Sequence, residues 1–323
     1  MDEIIWKENK LPADRNPALV YLARLTSENG RRTQAQALRV IAKFVVGDSL
    51  RVRLLSYDDF PWHMLRYQHT AAIRAEVAKR YAPATANKIL AALRGVLREA
   101  WRLGYMSAED FERACDLGPI HGETVPAGRE LSNGEILALM QACGRDHSPA
   151  GTRDAAIIGI AYTCGLRRAE IVGLELDDFT ANSGKILIRG KGKKQRTAYV
   201  INGALDALKD WLSIRGDSAG PLFVPINKGG KLQPGRITTQ AVYNMLVKRA
   251  EEAEVDTFSP HDLRRTFISD LLDKGADIAT VSKMAGHANV TTTARYDRRP
   301  EEAKQKAAGL LHLPYRRKNG REG

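Results

Sequence analysis

Hydrophobic residues recur at helical spacing through the first third of the chain. Between residues 16 and 25 and between 33 and 46, apolar side chains return every three or four positions, the pattern of helices that bury one face. The segment Glu28-Asn29-Gly30 predicts a break between them. Further helices are predicted from Tyr57 to about Lys79 and from Thr85 to Leu103. These patterns together predict an all-helical module.

The helix predicted from Thr85 to Leu103 has two unlike faces. Apolar residues such as Ile89 and Val96 share one face. The other face carries four basic residues: Lys88, Arg94, Arg98 and Arg102. Charge composition alone is typical of a solvated surface helix. Because only Glu99 on this helix could pair with them, however, the stripe is a candidate contact for DNA phosphates.

A segment without hydrophobic periodicity, rich in glycine and proline, divides the chain near residues 119–128. A new helix is predicted to open after it, with Ser132 and Glu135 at the spacing of a capping box. The predicted divisions are a flexible arm at 1–14, a helical DNA-binding domain at 15–118, a linker at 119–128, a second domain at 129–312 and a basic tail at 313–323.

In the second domain, Thr152 is predicted to cap an apolar helix that stops at Gly165, and Arg167 follows at once. An arginine at the joint of two buried helices is costly unless an anion meets it. A salt bridge to Glu170 or Glu175 explains the residue equally well. Arg167 alone therefore indicates either an anion site or a structural ion pair.

Two short strands, residues 185–189 and 197–201, are predicted to form a hairpin whose turn places glycines on both sides of Lys191. The glycines let the backbone approach a ligand closely and leave the ammonium group free to reach forward. A solvated turn has the same composition as a loop that enters a DNA groove. The hairpin supplies three more candidate DNA contacts: Lys193, Lys194 and Arg196.

The segment Ser259-Pro260-His261-Asp262 predicts the start of a later helix. Ser259 is the predicted cap, Pro260 takes the first helical position, and Asp262 completes a box-like cap. His261 and Arg264 are three positions apart, so they share a face near the positive end of the helix dipole. Two such groups repel unless an anion lies between them. This favours phosphate binding over a structural histidine.

The C-terminal candidates follow a helix predicted from about Asp277 to Ala285, which ends at Gly286. His287 comes next, and Tyr296 ends a short turn that Asn289 can cap. A lone tyrosine is most often an amphipathic residue at the edge of a core. Tyr296 becomes a candidate nucleophile only in the company of the basic groups described above.

Composition limits the partners and surroundings of the protein. Its 323 residues, 43% hydrophobic, suffice for two domains with cores. The 50 Lys and Arg against 38 Asp and Glu leave a net charge of +12, which suits a polyanion. Three cysteines without metal-ligand spacing predict a reduced, cytoplasmic protein without disulfides or structural zinc. Neither a signal peptide nor a membrane span is expected.

Four motifs occur in the order and spacing found in the tyrosine recombinases, also called phage integrases, and the chain resembles that family. The motifs are Cys164 to Ile171, Gly190 to Arg196, His261 to Thr266, and Gly286-His287 with Tyr296. The pattern spans about residues 155–296, and the N-terminal helices also resemble the core-binding domain of the family. The chain departs from the family at Ala285, where leucine is frequent, and at Arg265, where histidine is frequent.

The resemblance implies a catalytic set of Arg167, Lys191, His261, Arg264, His287 and Tyr296. The two arginines would bind the non-bridging oxygens of the scissile phosphate, and His287 would hold the phosphate. Lys191 would protonate the leaving 5′ oxygen, His261 would assist proton transfer, and the tyrosine would become a 3′-phosphotyrosine. The residue types suit this chemistry, because guanidinium groups match phosphate bidentately and a phenol, with an ordinary pKa of about 10, needs nearby cations to react.

The resemblance also implies a mainly α fold. An all-helical, SAM-like core-binding domain and an α+β catalytic domain with a small antiparallel hairpin or sheet would form a C-shaped clamp on double-stranded DNA. Four copies would form the synapse, from protein that is monomeric or weakly associated when free. No cofactor is expected, since the phosphotyrosine stores the bond, and no metal is expected, since no carboxylate cluster suited to two metals accompanies the motifs. An accessory DNA-bending or partner protein is left open.

Several functions agree with these features. The first is site-specific recombination, in the integration and excision of an element or in the resolution of cointegrates or dimers. Alternatives are a relaxing enzyme similar to type IB topoisomerases and a catalytically dead DNA-binding accessory protein. The complete set of six candidate residues argues against a dead site.

Overall fold

The structure is a computed structural model, and it describes residues 11–46, 56–122, 128–190, 195–287, 289–294, 296–297, 308–311 and 314. The chain divides into two compact units, Met1–Pro126 and Ala127–Gly323. Each unit has an apolar core of its own. No helix in the described ranges is long and apolar enough to cross a membrane.

The first unit packs around one long helix. Its described helices are α1 (Pro17–Ala23), α2 (Glu28–Val46), α3 (Tyr67–Arg80), α4 (Pro83–Arg102) and α5 (Ala108–Cys115). The apolar face of α4 is fully buried, with Leu93 and Val96 at 0% exposure, so this helix forms the centre of the core. The predicted all-helical character of this region is confirmed.

Two helices of this unit begin at residues other than those predicted. The expected break at Glu28-Asn29-Gly30 is wrong, because the hydroxyl of Ser27 accepts the backbone N–H of Gly30 at 2.9 Å and starts α2 there. The helix expected from Tyr57 begins only at Tyr67, after a 3-10 turn at Trp62–Met64. The turn precedes Arg66, which is the N-cap of α3.

The second unit is mostly helical and carries one small sheet. Its helices are α6 (Asn133–Arg145), α7 (Pro149–Thr163), α8 (Arg168–Gly173), α9 (Asn202–Arg215), α10 (Thr239–Glu252), α11 (Pro260–Asp273), α12 (Ile278–Ala285) and α13 (Val290–Ala294). The strands are β1 (Phe179–Thr180), β2 (Lys185–Arg189) and β3 (Gln195–Tyr199). They form an antiparallel sheet in the order β1-β2-β3, with Ile186 opposite Ala198. A mainly α fold with a small antiparallel sheet is thereby confirmed.

The starts of two helices in this unit test the predicted caps. The box of Ser132 and Glu135 is present at α6, where the Ser132 hydroxyl accepts the Glu135 N–H at 3.2 Å. The predicted Thr152 cap is wrong. Helix α7 begins one turn earlier because the Ser148 hydroxyl accepts the N–H of Ala150 and Pro149 occupies the first helical position.

Residues 128–131, called the strap below, run along α11 at the beginning of the second unit. The backbone N–H of Arg129 donates to Asp262 Oδ1 at 3.0 Å. The N–H of Leu131 donates to Thr266 Oγ1 at 2.9 Å, and the Leu131 side chain is buried in the core. Because Asp262 and Thr266 lie four positions apart, the strap follows one face of α11 for a full turn.

Candidate active site

Helix α11 places the first pair of candidate residues at its N-terminus. The capping box is present: the Asp262 carboxylate accepts the N–H and the hydroxyl of Ser259, each at 2.8 Å. His261 and Arg264 therefore lie in the first turn, where the helix dipole is positive. His261 is exposed, whereas Arg264 is 1% exposed.

Two backbone carbonyl groups anchor Arg264. Its Nη1 donates to the carbonyl of Gly165 at 2.5 Å, and its Nη2 donates to the carbonyl of Ala285. Its buried Nε has no hydrogen-bond partner within the part of the chain that the structure describes. Burial, followed by repulsion from Arg167, lowers the pKa of the guanidinium to about 10. A buried charge held this way is suited to an anionic ligand.

Arg167 is the N-cap of α8 and approaches the same site from another element. Its backbone N–H and its Nη1 donate to the two oxygens of Glu170, at 2.9 and 2.8 Å. Its Nη2 donates to the carbonyl of Gly286 at 3.4 Å. Glu170 is thus the salt-bridge partner of Arg167, and Glu175 pairs with Arg236 instead. The Arg167 side chain remains 44% exposed, so the ion pair leaves it accessible to a ligand.

Arg196, a predicted DNA contact, is bound to the protein. Its two terminal nitrogens donate to the two oxygens of Glu170 at 2.9 and 2.8 Å, and its Nε donates to the carbonyl of Met284. The side chain is 13% exposed. Burial raises the pKa of the Glu170 carboxyl, but the hydrogen bonds from Arg196 and Arg167 outweigh burial and lower it overall. A DNA contact by Arg196 stays a prediction beside this structural role.

The end of α12 positions His287. Gly286 ends this helix in the left-handed region, at φ 64°, as predicted for the helix stop. The His287 Nδ1 lies 2.8 Å from the hydroxyl of Thr293, which fixes the orientation of the ring. The rings of His287 and Tyr296 are stacked, with centroids 6.5 Å apart.

Tyr296 follows the short helix α13. Asn289 caps this turn through its side-chain oxygen, which accepts the N–H of Thr291, as predicted. The backbone N–H of Tyr296 donates to the carbonyl of Thr293 at 2.9 Å. The Tyr296 hydroxyl then lies 3.5 Å from Nε2 of His261, so the candidate nucleophile and a candidate base face each other.

Both histidines of the site are held towards the neutral form. Although His261 is exposed as a whole residue, partial desolvation of its ring lowers its pKa, and repulsion from Arg264 and Arg265 lowers it further. Burial likewise lowers the pKa of His287 to about 4, with Arg264 and Arg167 adding to the effect. The site holds an excess of positive charge, and a phosphate group would offset it.

The remaining predicted contacts divide into two groups. Lys191, Lys193 and Lys194 lie outside the described residues. The other four lie on α4, where Lys88, Arg98 and Arg102 are exposed and Arg94 is half-buried. Arg102 pairs with the buried Glu99 at 3.2 Å, and Glu99 also pairs with Arg24. DNA contacts by the α4 residues stay a prediction.

The structure adds two residues to the site: Thr293, and Glu170, which the sequence predicts only as a possible salt-bridge partner of Arg167. Thr293 orients His287, and Glu170 joins two arginines of the site. The spacing of Arg167 and Glu170, an N-cap and the third helical position, is the signal that could have identified the second of these. Thr293 carries no comparable signal, since threonines fill three consecutive positions in this turn.

Comparisons with known proteins show the family to which the chain belongs. A model of the phage integrase family matches residues 129–302. The tyrosine recombinase XerD of Mycobacterium tuberculosis H37Rv is 34% identical over 66% of this chain and 68% of its own length. XerD of Pseudomonas aeruginosa is 30% identical over 88% of this chain and 91% of its own length. The chain belongs to the phage integrase family, the tyrosine recombinases.

Solved structures of similar fold include two recombination proteins bound to DNA. The XerH site-specific recombinase, in a post-cleavage complex with palindromic difH substrate, matches with a TM-score of 0.64 and 20% identity over 94% of this chain and 98% of that chain. The Tn1549 transposon integrase, bound to transposon right end DNA, matches with a TM-score of 0.66 and 14% identity over 92% and 98%. At these identities the likeness concerns the fold.

Proposed function

We propose that this protein is an active site-specific DNA recombinase that cuts and rejoins duplex DNA through a phosphotyrosine formed on Tyr296. One observation carries the proposal: the Tyr296 hydroxyl lies 3.5 Å from His261 Nε2, beside Arg264, Arg167 and His287. Membership of the tyrosine recombinase family supports the same reading.

The chemistry follows from the position of each group. The Tyr296 oxygen attacks phosphorus as its proton leaves towards His261, and Arg167 and Arg264 stabilise the charge on the non-bridging oxygens. The bond to the 5′ oxygen breaks, and Lys191 supplies the proton that this leaving group requires. Attack by a 5′ hydroxyl group on the phosphotyrosine then reverses these transfers and joins a new strand. The phosphoryl bond energy is conserved, so the cycle needs no nucleotide hydrolysis.

The finer role that we propose is resolution of cointegrates or dimers by a tetramer on two DNA sites, with integration and excision as the other outcome to be tested. Similarity to XerD over most of both chains favours resolution. A requirement for two DNA sites would distinguish resolution from relaxation by a monomeric topoisomerase. If relaxation of a plasmid without sites proceeds as fast as recombination between two sites, resolution is the wrong assignment.

The direct test is formation of a covalent adduct. A duplex site that the protein binds would be recovered by selection from a randomised library and rebuilt with a nick next to the scissile phosphate, so that the cut strand end diffuses away. We expect wild-type protein to form a DNA adduct stable to denaturing electrophoresis and Tyr296→Phe to form none, because the variant has no phenolic oxygen to attack phosphorus.

Tyr243→Phe is the matched control, since it removes the same hydroxyl from α10 and is expected to leave the adduct unchanged. Fluorescence anisotropy with the uncleaved site would show that each variant still binds DNA. An adduct that persists in Tyr296→Phe, or its absence with wild-type protein on a bound site, would refute the proposal.

A further inference from the structure

Thr293 is the buried member of a run of three threonines in α13. It is 0% exposed, whereas the two threonines before it are exposed. Its Oγ1 lies 2.8 Å from Nδ1 of His287. Threonines in two longer helices behave differently: Thr163 and Thr266 donate their hydroxyl groups to the carbonyl four positions earlier, each at 2.8 Å. The Thr293 hydroxyl instead meets a ring nitrogen of the candidate active site.

A hydroxyl group differs from the usual partners of a histidine Nδ1. A backbone carbonyl or a carboxylate only accepts, so it fixes a hydrogen on Nδ1 and leaves Nε2 of the neutral ring as an acceptor. A hydroxyl that donates to Nδ1 places the hydrogen of the neutral ring on Nε2. After protonation of the ring, the same hydroxyl accepts from Nδ1–H. With such a partner, Nε2 carries a hydrogen in both states.

Nε2 of His287 is the nitrogen placed to meet a phosphate. The two ring nitrogens point in different directions, so with Nδ1 directed at Thr293, Nε2 is directed away from α13. The face of the ring is turned to Tyr296, with 19° between the two ring planes. Arg264 and Arg167, assigned to phosphate above, each donate to a carbonyl group in the two residues before His287. A phosphate bound by both arginines would therefore lie close to this ring.

The protonation state of His287 makes the position of the hydrogen decisive. Burial, followed by repulsion from Arg264 and Arg167, lowers the pKa of the ring to about 4, so the ring is neutral near neutral pH in the ligand-free protein. A neutral imidazole has a single N–H. On Nε2 this group can donate to an anion, whereas on Nδ1 it would leave the Nε2 lone pair facing the negative phosphate.

We propose that Thr293 is a positioning residue that holds a hydrogen on Nε2 of His287, so that the ring donates to the scissile phosphate in both its neutral and its protonated form. This rests on the function proposed above, because it takes the phosphate as the ligand of His287. Thr293 acts through the imidazole and carries no charge. Its replacement by valine, which has the same branched shape, therefore leaves the charges of the site as they are.

The tautomer can be measured on the ligand-free protein by NMR. Protein labelled with ¹⁵N at histidine gives long-range correlations that show which ring nitrogen carries the hydrogen, and His287→Asn identifies the signals of His287. We expect the Nε2–H form in wild type near neutral pH and a mixture of tautomers in Thr293→Val, because the donor to Nδ1 is lost. Thr292→Val removes an exposed hydroxyl from the same helix and is expected to keep the wild-type tautomer.

The adduct assay on the nicked site tests the consequence for catalysis. We expect Thr293→Val to form the adduct about 10-fold more slowly, the scale of one hydrogen bond lost from the transition state. Thr293→Ser keeps the hydroxyl and is expected to stay close to wild type, as is Thr292→Val. Binding of the uncleaved site, followed by fluorescence anisotropy, is expected to be unchanged in all three variants.

A double-mutant cycle separates action through His287 from effects on Tyr296 or on the fold. His287→Ala removes the ring and is expected to slow attack without abolishing it, because Arg167 and Arg264 remain. Adding Thr293→Val to His287→Ala is expected to cause no further slowing. Equal slowing in both backgrounds would show that Thr293 acts on the position of Tyr296 or on the stability of α13, and would overturn the inference.

An unchanged rate in Thr293→Val would also overturn the inference, and so would a wild-type His287 that carries its hydrogen on Nδ1. If circular dichroism shows that Thr293→Val does not fold, Thr293→Ala replaces it in both assays. These outcomes leave the proposed function intact provided that Tyr296→Phe still abolishes the adduct. Failure of the wild-type protein to form any adduct would instead refute the proposed function itself.

Discussion

The surroundings of His287 are strongly positive in the absence of a ligand. The ring is half-buried, its Nδ1 bonds to Thr293, and Arg264 and Arg167 lie near enough to repel a proton. A phosphate would reverse this balance, because its negative charge favours the protonated ring. If a DNA phosphate occupies the site as proposed, we expect His287 to take up a proton as DNA binds and to donate a hydrogen bond to the phosphate.

The lowered pKa of His287 predicts a pH-dependent stability in the absence of DNA. Above pH 6.5 the ring is neutral in both folded and unfolded chains. As the pH falls from about 6.5 to about 4, the unfolded chain takes up a proton that the folded chain resists, so the free energy of unfolding decreases. The loss is on the order of 1 kcal/mol once solvent screening of a half-buried group is allowed for.

Urea unfolding across this pH range would measure the effect. We expect His287→Asn to lose less stability than wild type on acidification, while His147→Asn, a change at an exposed histidine, behaves like wild type. Identical pH dependence in wild type and His287→Asn would contradict the prediction.

At the scale of elements, Glu170 and Arg196 join three separate elements of the second unit. Glu170 belongs to α8 and Arg196 to β3, and the Nε of Arg196 reaches the carbonyl of Met284 in α12. The same carboxylate orients Arg167. This ion pair therefore fixes the distance between the arginine at the start of α8 and the histidine that follows α12.

Glu170→Ala tests that role. The substitution would leave Arg196 buried without its carboxylate, so we expect the free energy of unfolding to fall by about 3–5 kcal/mol. Glu175→Ala, which removes the partner of the more exposed Arg236, is expected to cost about 1 kcal/mol or less. Chemical denaturation of both variants measures the difference. Equal, small losses would mean that the buried pair is not structurally important.

Local and distant contacts differ in how far the sequence predicts them. The capping boxes at Ser132 and Ser259 and the helix stop at Gly286 depend on neighbouring residues, and all three are present. The start of α2 is also local but differs from the prediction, because the Ser27 cap outweighs the helix-breaking character of Gly30. The pairing of Glu170 with an arginine 26 positions later depends on how α8 packs against the sheet, which no local pattern encodes.

Within the site, too, the sequence does not predict contacts that depend on how the elements pack together. Family motifs predicted which residues belong together, and the described ones converge from four elements. The motifs do not predict that the Arg196 side chain turns inwards to Glu170. The sequence of the hairpin is the same whether a basic side chain points to solvent or into the protein. Nor do the motifs predict that the Arg265 guanidinium lies against the ring of Tyr296, since Arg265 is a position at which the chain departs from the family pattern.

At the scale of the whole molecule, the strap joins the beginning of the second unit to the helix that carries His261 and Arg264. Gly128 opens it with a φ of 100°, a conformation that favours glycine. A Cβ atom at this position would lie 2.1 Å from Asp262 Oδ1. The close approach of backbone to carboxylate therefore requires glycine.

Gly128→Ala is expected to lower the free energy of unfolding of the second unit by about 1–3 kcal/mol, through backbone strain and displacement of Asp262. It should also slow adduct formation, because α11 loses part of its cap. Gly144→Ala is the control, since a Cβ there meets no atom within 4 Å. Thermal unfolding and the adduct assay would follow both variants. A Gly128→Ala protein as stable as Gly144→Ala would show that the strap adapts without cost.

The strap also determines where chimeric recombinases can be joined. Exchange of the first unit for that of another recombinase needs a junction near the boundary between the two units. A junction placed after Gly128 would replace the backbone donors that reach Asp262 and Thr266, so that α11, which carries the candidate residues His261 and Arg264, would contact a strap from another parent. A crossover upstream of Gly128 keeps the strap and α11 from the same parent.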